Sequence, residues 1–262
     1  MIKRIKAAIK RRIPPPWLTF RHVLWLYPGD PIRVLVFLLK GWSNNSISFG
    51  ERLRLIKRLY RITFNLDCPH TQSQILAVLE AIFSTSQGCI VEAGCFKGGS
   101  TAKFSIGAKM TNKRLVVFDS FQGIPDNEES HDKSIFGKHV GPFQPGSYCG
   151  ALDEVQQNVQ RFGEIAACEF VEGWFEDTLP GFAEKIGVIY LDVDLVSSTR
   201  TCLKFLYPLL IPGGILFSQD GHLPLVVEAF DDDAFWEHEV GCKKPPIQGL
   251  GTSALLKLVK PE

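Results

Sequence analysis

Residues 89–100 read CIVEAGCFKGGS, and the reading of this stretch decides the fold. Cys89–Glu92 is a short, almost continuously apolar run, as expected of a strand covered on both faces. It runs into a turn carrying Gly94, Gly98 and Gly99, and a helical candidate follows at 100–110. Glycines let the backbone turn sharply and approach a ligand with no Cβ in the way. The start of the helix then offers free N–H groups to a carboxylate or phosphate. The spacing is neither the GxGxxG dinucleotide pattern nor the GxxxxGK[ST] phosphate loop. Working outward, similar runs occur at Leu115–Phe118, Val188–Leu191 and Ile215–Ser218, with a weaker one at Cys168–Val171. Helical candidates at 151–162, 197–210 and 223–236 separate them. Upstream, Thr71 and Gln74 have capping-box spacing, ahead of Ile75, Leu76, Val78, Leu79, Ile82 and Phe83 at core-facing positions. The alternation predicts an α/β protein with a doubly wound, Rossmann-like parallel sheet. His238–Cys242 and Ala254–Val259 are expected to add an antiparallel pair at one edge.

The composition agrees with a globular chain: 262 residues, 45% hydrophobic and 22% charged. The net charge of +1 hides a division. Residues 1–66 carry 14 Lys and Arg against 2 acids, and the rest carries 15 against 26. The chain is therefore expected to consist of a basic N-terminal extension of helices and turns, 1–66, and a main domain, 67–262. Within the extension, residues 1–13 place Ile2, Ile5 and Ile9 at helical spacing opposite Lys3, Lys6 and Lys10. Such a helix suits a solubilising arm or a contact with a partner subunit. A peripheral contact with an anionic membrane is the alternative, and nucleic acid fits less well beside an acidic body. The seven cysteines are odd in number and lack CxxC spacing, which argues against a disulfide framework or a zinc ribbon, so they read as small buried residues. The longest apolar run, Val34–Leu39, is far below the roughly 20 residues of a membrane span. A cytoplasmic protein is the default.

Three groups of residues carry chemistry. Asp119 ends the second strand 27 residues after Glu92, where a carboxylate accepts both hydroxyls of a ribose. With the glycine turn it points to an adenosine-containing ligand. Trp174, after the Cys168–Val171 strand, either flanks an adenine ring or plugs the core. Asp192 and Asp194 end one buried strand, and Gln219, Asp220 and His222 follow the next. Neighbouring parallel strands bring all five to one rim. Oxygen donors without thiolates or several histidines suit Mg²⁺ or Mn²⁺ better than zinc. The plainer reading gives one carboxylate, Asp194 above all, the task of capping the helix near Ser197. The polar, turn-rich stretch 123–149 is a loop of the size that covers sites, and His131, His139, Tyr148 and the nearby Arg161 are secondary candidates for substrate contact.

Taken together, VEAGCFKGGS at 91–100, FDSFQGIP at 118–125, GSYCGALDEVQQNV at 146–159, EGWFEDTLP at 172–180, LDVDLVSSTR at 191–200 and LYPLLIPGGILFSQD at 206–220 resemble the macrocin O-methyltransferase (TylF-like) family of S-adenosylmethionine-dependent enzymes. The resemblance spans about residues 70–260. It implies a class I methyltransferase fold, a seven-stranded sheet with one antiparallel strand. It further implies that the Glu92–Ser100 segment, with Gly94, Phe96 and Gly98, cradles the methionine end of S-adenosylmethionine and that Asp119 holds its ribose. Asp192 and Asp220 are then metal ligands, Asp194 the base that takes the acceptor proton, and the acceptor a hydroxyl of a sugar on a natural product or glycan. Two positions depart from the family pattern. Gln219 stands where an acid is usual, removing a negative charge from the metal site, and Val196 replaces a common Tyr. His222 is a compensating ligand or base. These departures leave a rival expectation, an inactive methyltransferase-like binding module or partner subunit. A homo-oligomer is expected in either case.

Overall fold

The computed structural model describes residues 30–39, 47–141 and 143–262. Its centre is a seven-stranded sheet of order β3-β2-β1-β4-β5-β7-β6. The strands are β1 (Cys89–Ala93), β2 (Leu115–Asp119), β3 (Cys168–Glu172), β4 (Ile186–Leu191), β5 (Leu210–Ser218), β6 (Ile247–Gln248) and β7 (Leu256–Val259). Strands β1 to β5 pair in parallel, and β7 runs antiparallel to both β5 and β6. This is the Rossmann-like sheet of class I methyltransferases. The period of two along a strand builds two cores. Ile90 and Tyr190 face one apolar layer, and Val91 and Ile189 face the other.

Among the described residues, five helices cover the first face: α1 (Asp30–Leu39), α2 (Phe49–Asn65), α3 (Gln72–Ser84), α4 (Gly99–Met110) and α5 (Leu152–Phe162). Phe37, Leu59, Ile75, Phe104 and Val159 bring them into one buried cluster. On the second face lie α6 (Val196–Leu206) and α7 (Pro224–Asp231), together with Trp236. The capping box read in the sequence is formed at α3. Thr71 Oγ1 accepts from Gln74 N at 3.1 Å and Gln74 Oε1 accepts from Thr71 N at 2.9 Å. Asp30 reaches the same helix start, accepting from the backbone N–H groups of Gln72 and Ser73 at 2.9 Å each, so α1 is tied to the main core. The charge division also has a structural outlet. Arg33 pairs with Glu80 at 2.6 Å and Arg58 with Glu164 at 2.8 Å, joining the basic helices to the acidic body.

One expected strand is not formed. His238–Cys242 is the end of a helical segment: Trp236–Val240 makes a π-helical turn, stopped at Gly241 with φ +81°. Trp236 and Val240, four apart, are both buried, a helical spacing that apolar alternation concealed. The partner of β7 is instead the two-residue β6, Ile247–Gln248. The helix expected over 223–236 breaks at Asp232, whose side chain accepts from Phe235 N and caps the next turn. Residues 1–13, and with them the expected basic amphipathic helix, lie outside the described residues. Among the described residues no helix is long and apolar enough to cross a membrane.

Candidate active site

The aligned ends of β1, β2, β4 and β5 open on a cavity of about 560 Å³. Its position follows from backbone steric demands at the first βα turn. Gly94 has φ +81°, and a Cβ there would lie 2.0 Å from the Asp192 carbonyl oxygen, so no side chain fits. The missing side chain lets the end of β4 lie against the end of β1, where Asp192 N donates to Ala93 O at 3.0 Å. Gly98, φ +76°, turns the chain into α4 without a side-chain cap, and Gly99 lets Cys68 pack against the first turn of that helix. Phe96 and Ser100 line the cavity beside them, whereas Gly98 shapes the turn behind the wall.

Asp119 lines the same cavity. Its two oxygens accept from Cys95 N and Phe121 N, each at 2.7 Å, which locks the carboxyl plane. Burial pushes its pKa up, opposed by those two N–H groups. Trp174 stands on the adjoining wall, at the start of the Phe175–Thr178 turn of helix. Glu92 does not reach the cavity surface. It is fully buried beneath the turn, and among the described residues neither carboxyl oxygen has a hydrogen-bond partner. Burial pushes its pKa up to about 8, and the approach of the Ser100 and Thr101 hydroxyls lowers it too little to compensate.

The opposite wall is acidic. Asp192, Asp194, Gln219, Asp220 and His222 all line it, so the five rim residues are brought together. Asp220 is buried, and its Oδ2 accepts from Val193 N at 2.9 Å and Asp194 N at 3.1 Å. These bonds hold a tight turn in which Asp194 has φ +61°, a conformation that costs a non-glycine residue roughly 1–2 kcal/mol. Among the described residues, three of the five non-glycine residues with positive φ, Phe96, Tyr148 and Asp194, line this cavity, which places backbone strain at the site. Burial and the charges of Asp220 and Asp192 push the Asp194 carboxyl well above the usual carboxylate range. Asp220 is raised by burial and by Asp192, against its two N–H donors. Gln219 Oε1 accepts from Tyr190 OH at 3.4 Å. His222 Nδ1 lies 3.4 Å from Gln219 O, and burial lowers the pKa of the ring. Among the described residues no three His, Cys, Asp or Glu side chains are grouped to hold a metal ion.

Asp194 does not cap α6. Glu129, from the long loop, accepts from Val196 N at 2.7 Å and Ser197 N at 2.9 Å, so the cap comes from 67 residues upstream. Sequence spacing also missed His70. Its Nε2 lies 2.9 Å from Asp192 Oδ2. Although burial opposes protonation, the Asp192 charge and the contact with Cys68 raise His70 to about 10, making it a buried cation beside the acidic rim. The signal that could have found it is its place just before the Thr71 cap, a helix start that delivers its neighbours to the sheet edge. The long loop folds over the cavity as expected of its length. Phe136, His139 and Tyr148 line the opening, and Phe136 and Tyr148 remain 52% and 47% exposed. His131 instead packs edge-on against Phe143, and Arg161 stacks on Phe162 away from the cavity.

Comparison with solved structures places the whole arrangement among known folds. The O-methyltransferase NovP superposes with a TM-score of 0.58 over 95% of this chain and 100% of that one, at 20% identity. The calicheamicin methyltransferase CalS11 gives 0.53 over 88% and 91%, also at 20% identity. In sequence, an 8-demethyl-8-(2,3-dimethoxy-alpha-L-rhamnosyl)-tetracenomycin-C 4'-O-methyltransferase of Streptomyces olivaceus is 34% identical over 154 residues, 55% of this chain and 57% of that protein. A demethyldecarbamoylnovobiocin O-methyltransferase of Streptomyces niveus is 32% identical over 149 residues, 55% and 56% of the two chains. The aligned part thus spans little more than half the length of these curated relatives. The pattern of the macrocin O-methyltransferase (TylF) family matches residues 72–243, from the Thr71-capped helix through the glycine turn and the acidic rim, and the chain belongs to that family.

Proposed function

We propose that this protein transfers the methyl group of S-adenosylmethionine to a hydroxyl of a sugar moiety, on a glycan or a glycosylated natural product. The observation that carries the reading is one cavity with two unlike walls. One wall has the glycine turn and the immobilised Asp119, and the other has Asp192, Asp194 and Asp220. The first wall fits an adenosine with a charged amino-acid tail: Gly94, Phe96, Gly99 and Ser100 line it along the turn into α4, and Asp119 offers its remaining lone pairs to a ribose. Family membership and the names of the two streptomycete relatives support the same chemistry.

S-adenosylmethionine supplies an electrophilic sulfonium methyl. The chain's own residues do the rest. The glycine turn and Asp119 orient the donor, and Trp174 offers a flat face for adenine. The loop carrying Phe136 and Tyr148 borders the opening through which the acceptor enters. Asp194 takes the proton of the acceptor hydroxyl. An ordinary carboxylate, with a pKa near 4, is a weak base. Burial and two neighbouring carboxylates make Asp194 a stronger one, and a positioned base contributes about 10²–10⁴-fold. The oxygen donors and crowded negative charge of the rim also suit Mg²⁺ or Mn²⁺, which Asp192, Asp220 and Gln219 would hold and which would acidify the acceptor hydroxyl.

The test is titration calorimetry with S-adenosylmethionine, with Mg²⁺ or with EDTA, followed by mass-spectrometric detection of methylated glycosylated acceptors. One-to-one binding and product formation are expected. Absence of cofactor binding under both conditions would overturn the reading. Binding without turnover on any acceptor would favour the inactive partner-subunit alternative that Gln219 suggests.

A further inference from the structure

A second cluster meets the cavity beside α4, built around Cys68. This side chain lines the cavity from the segment just before α3. Its Sγ accepts a hydrogen bond from Lys103 Nζ at 3.3 Å. Lys103 is fully buried, and among the described residues no ion pair with a carboxylate accompanies that contact. His70 Nδ1 lies 3.6 Å from the same sulfur, with its other nitrogen on Asp192. The third neighbour is the start of α4. A Cβ on Gly99, the first residue of this 12-residue helix, would lie 2.7 Å from Cys68 Cβ and 3.2 Å from its Sγ, so only glycine lets the thiol rest against the helix N-terminus.

A buried lysine and a helix N-terminus each favour thiolate over thiol, and the His70 ring adds a contact to the same sulfur. Burial works the other way and is outweighed, and Cys68 is lowered from about 9 to about 6. A buried lysine also requires a counter-charge, and the thiolate provides it without a carboxylate. The other six cysteines lack this combination. Cys89, Cys95 and Cys202 are buried, and burial raises them. Cys168 and Cys242 are raised as well, and Cys149 is exposed, its Sγ on the Phe121 carbonyl.

We propose that Cys68 is a covalent modification site, a resident thiolate that soft electrophiles and hydrogen peroxide attack ahead of the other cysteines and whose adduct obstructs the cofactor cavity. With an alkyl halide, the sulfur forms a thioether and halide leaves. With peroxide, the thiolate attacks one oxygen, an S–O bond forms as the O–O bond breaks, hydroxide departs, and sulfur is oxidised to sulfenic acid. The obstruction of cofactor rests on the proposed function, whereas the reactivity of Cys68 does not.

The experiment is timed alkylation of the full chain with iodoacetamide from pH 5 to 9, quenched and mapped by mass spectrometry. Cys68 is expected to label with a midpoint near pH 6 and, at pH 6.5, before the exposed Cys149. Lys103→Met is expected to raise the midpoint by a unit or more, and Lys103→Arg to keep it low. If Lys103→Met does not fold, the wild-type profile remains decisive. A Cys68 rate that rises only through pH 8–9, or no label on Cys68 once Cys149 is fully labelled, overturns the proposal. Repeating the labelling with saturating S-adenosylmethionine separates the two readings. Protection of Cys68 supports both. A low midpoint without protection and without calorimetric binding leaves the thiolate standing and overturns the cofactor assignment.

Discussion

Glu92 offers a sharp test of how this fold is held together at its centre. It lies on β1, the central one of the five parallel strands, fully buried, and among the described residues neither carboxyl oxygen has a hydrogen-bond partner. Its pKa rises from 4.5 to about 8, chiefly through burial. The native state therefore holds a proton over a range of pH in which the unfolded chain has lost it. Stability falls wherever the native state binds more protons, so the contribution of Glu92 is fully present below pH 4.5 and is lost as pH rises through 8. At about 1.4 kcal/mol per pH unit, roughly 3 kcal/mol should disappear between pH 5.5 and 8. Glu92→Gln keeps the shape and cannot ionise, so that loss should vanish. Urea denaturation of wild type and variant at pH 5.5, 7 and 8.5 measures the difference directly. The variant should gain on the wild type with rising pH. A wild-type-minus-variant difference that stays constant from pH 5.5 to 8.5 would refute the reasoning, and Glu92 would then have a partner in solution that neutralises its burial.

Other consequences are more direct. Asp194→Asn should leave calorimetric affinity for S-adenosylmethionine within about twofold and cut turnover by roughly 10²–10⁴-fold, the range of general-base catalysis; unchanged turnover would remove Asp194 from the base role. Asp119→Ala deletes an acceptor of two backbone N–H groups, each bond to a charged group being worth about 1.5–3 kcal/mol. It should weaken cofactor binding by at least about tenfold, and an unchanged Kd would reassign the ribose site. Gly94→Ala forces a Cβ to within 2.0 Å of the Asp192 carbonyl oxygen at a positive φ, and should lower stability by more than about 2 kcal/mol in urea melts while separating the two walls of the cavity. Arg58→Ala removes a half-exposed ion pair and should change stability by less than about 1 kcal/mol; a larger loss would show that the basic helices anchor the acidic body electrostatically.

Much of the framework was legible because its causes are local. A strand covered on both faces needs an unbroken apolar run, so β1, β2, β4 and β5 stand out without any neighbour being known. The glycine turn is legible for a similar reason, since positive φ and close backbone approach leave few residues to choose from. Thr71 and Gln74 announce α3 three residues apart. Even the gathering of Asp119, Asp192, Asp194 and Asp220 follows from strand ends, because a parallel sheet sends the ends of its strands to one rim. The failure at His238–Cys242 was of the same local kind. Val240 and Cys242 alternate as a strand would, but Val240 is buried four residues after Trp236 in a helical turn that Gly241 ends.

What only the tertiary structure decided is the pairing of polar groups across the chain. His70 meets Asp192 over 122 residues, Lys103 meets Cys68 over 35, and Glu129 caps α6 from the far side of a long loop. No periodicity encodes such pairs, because each depends on where two packed elements bring single side chains within 3–4 Å. Ionisation is decided there too. The sequence by itself determined that Asp119, Asp192, Asp194, Asp220 and a glycine turn belong to one sheet edge. Burial and proximity, which are properties of the packed molecule, then make Asp194 a stronger base, Glu92 a neutral acid and Cys68 a thiolate.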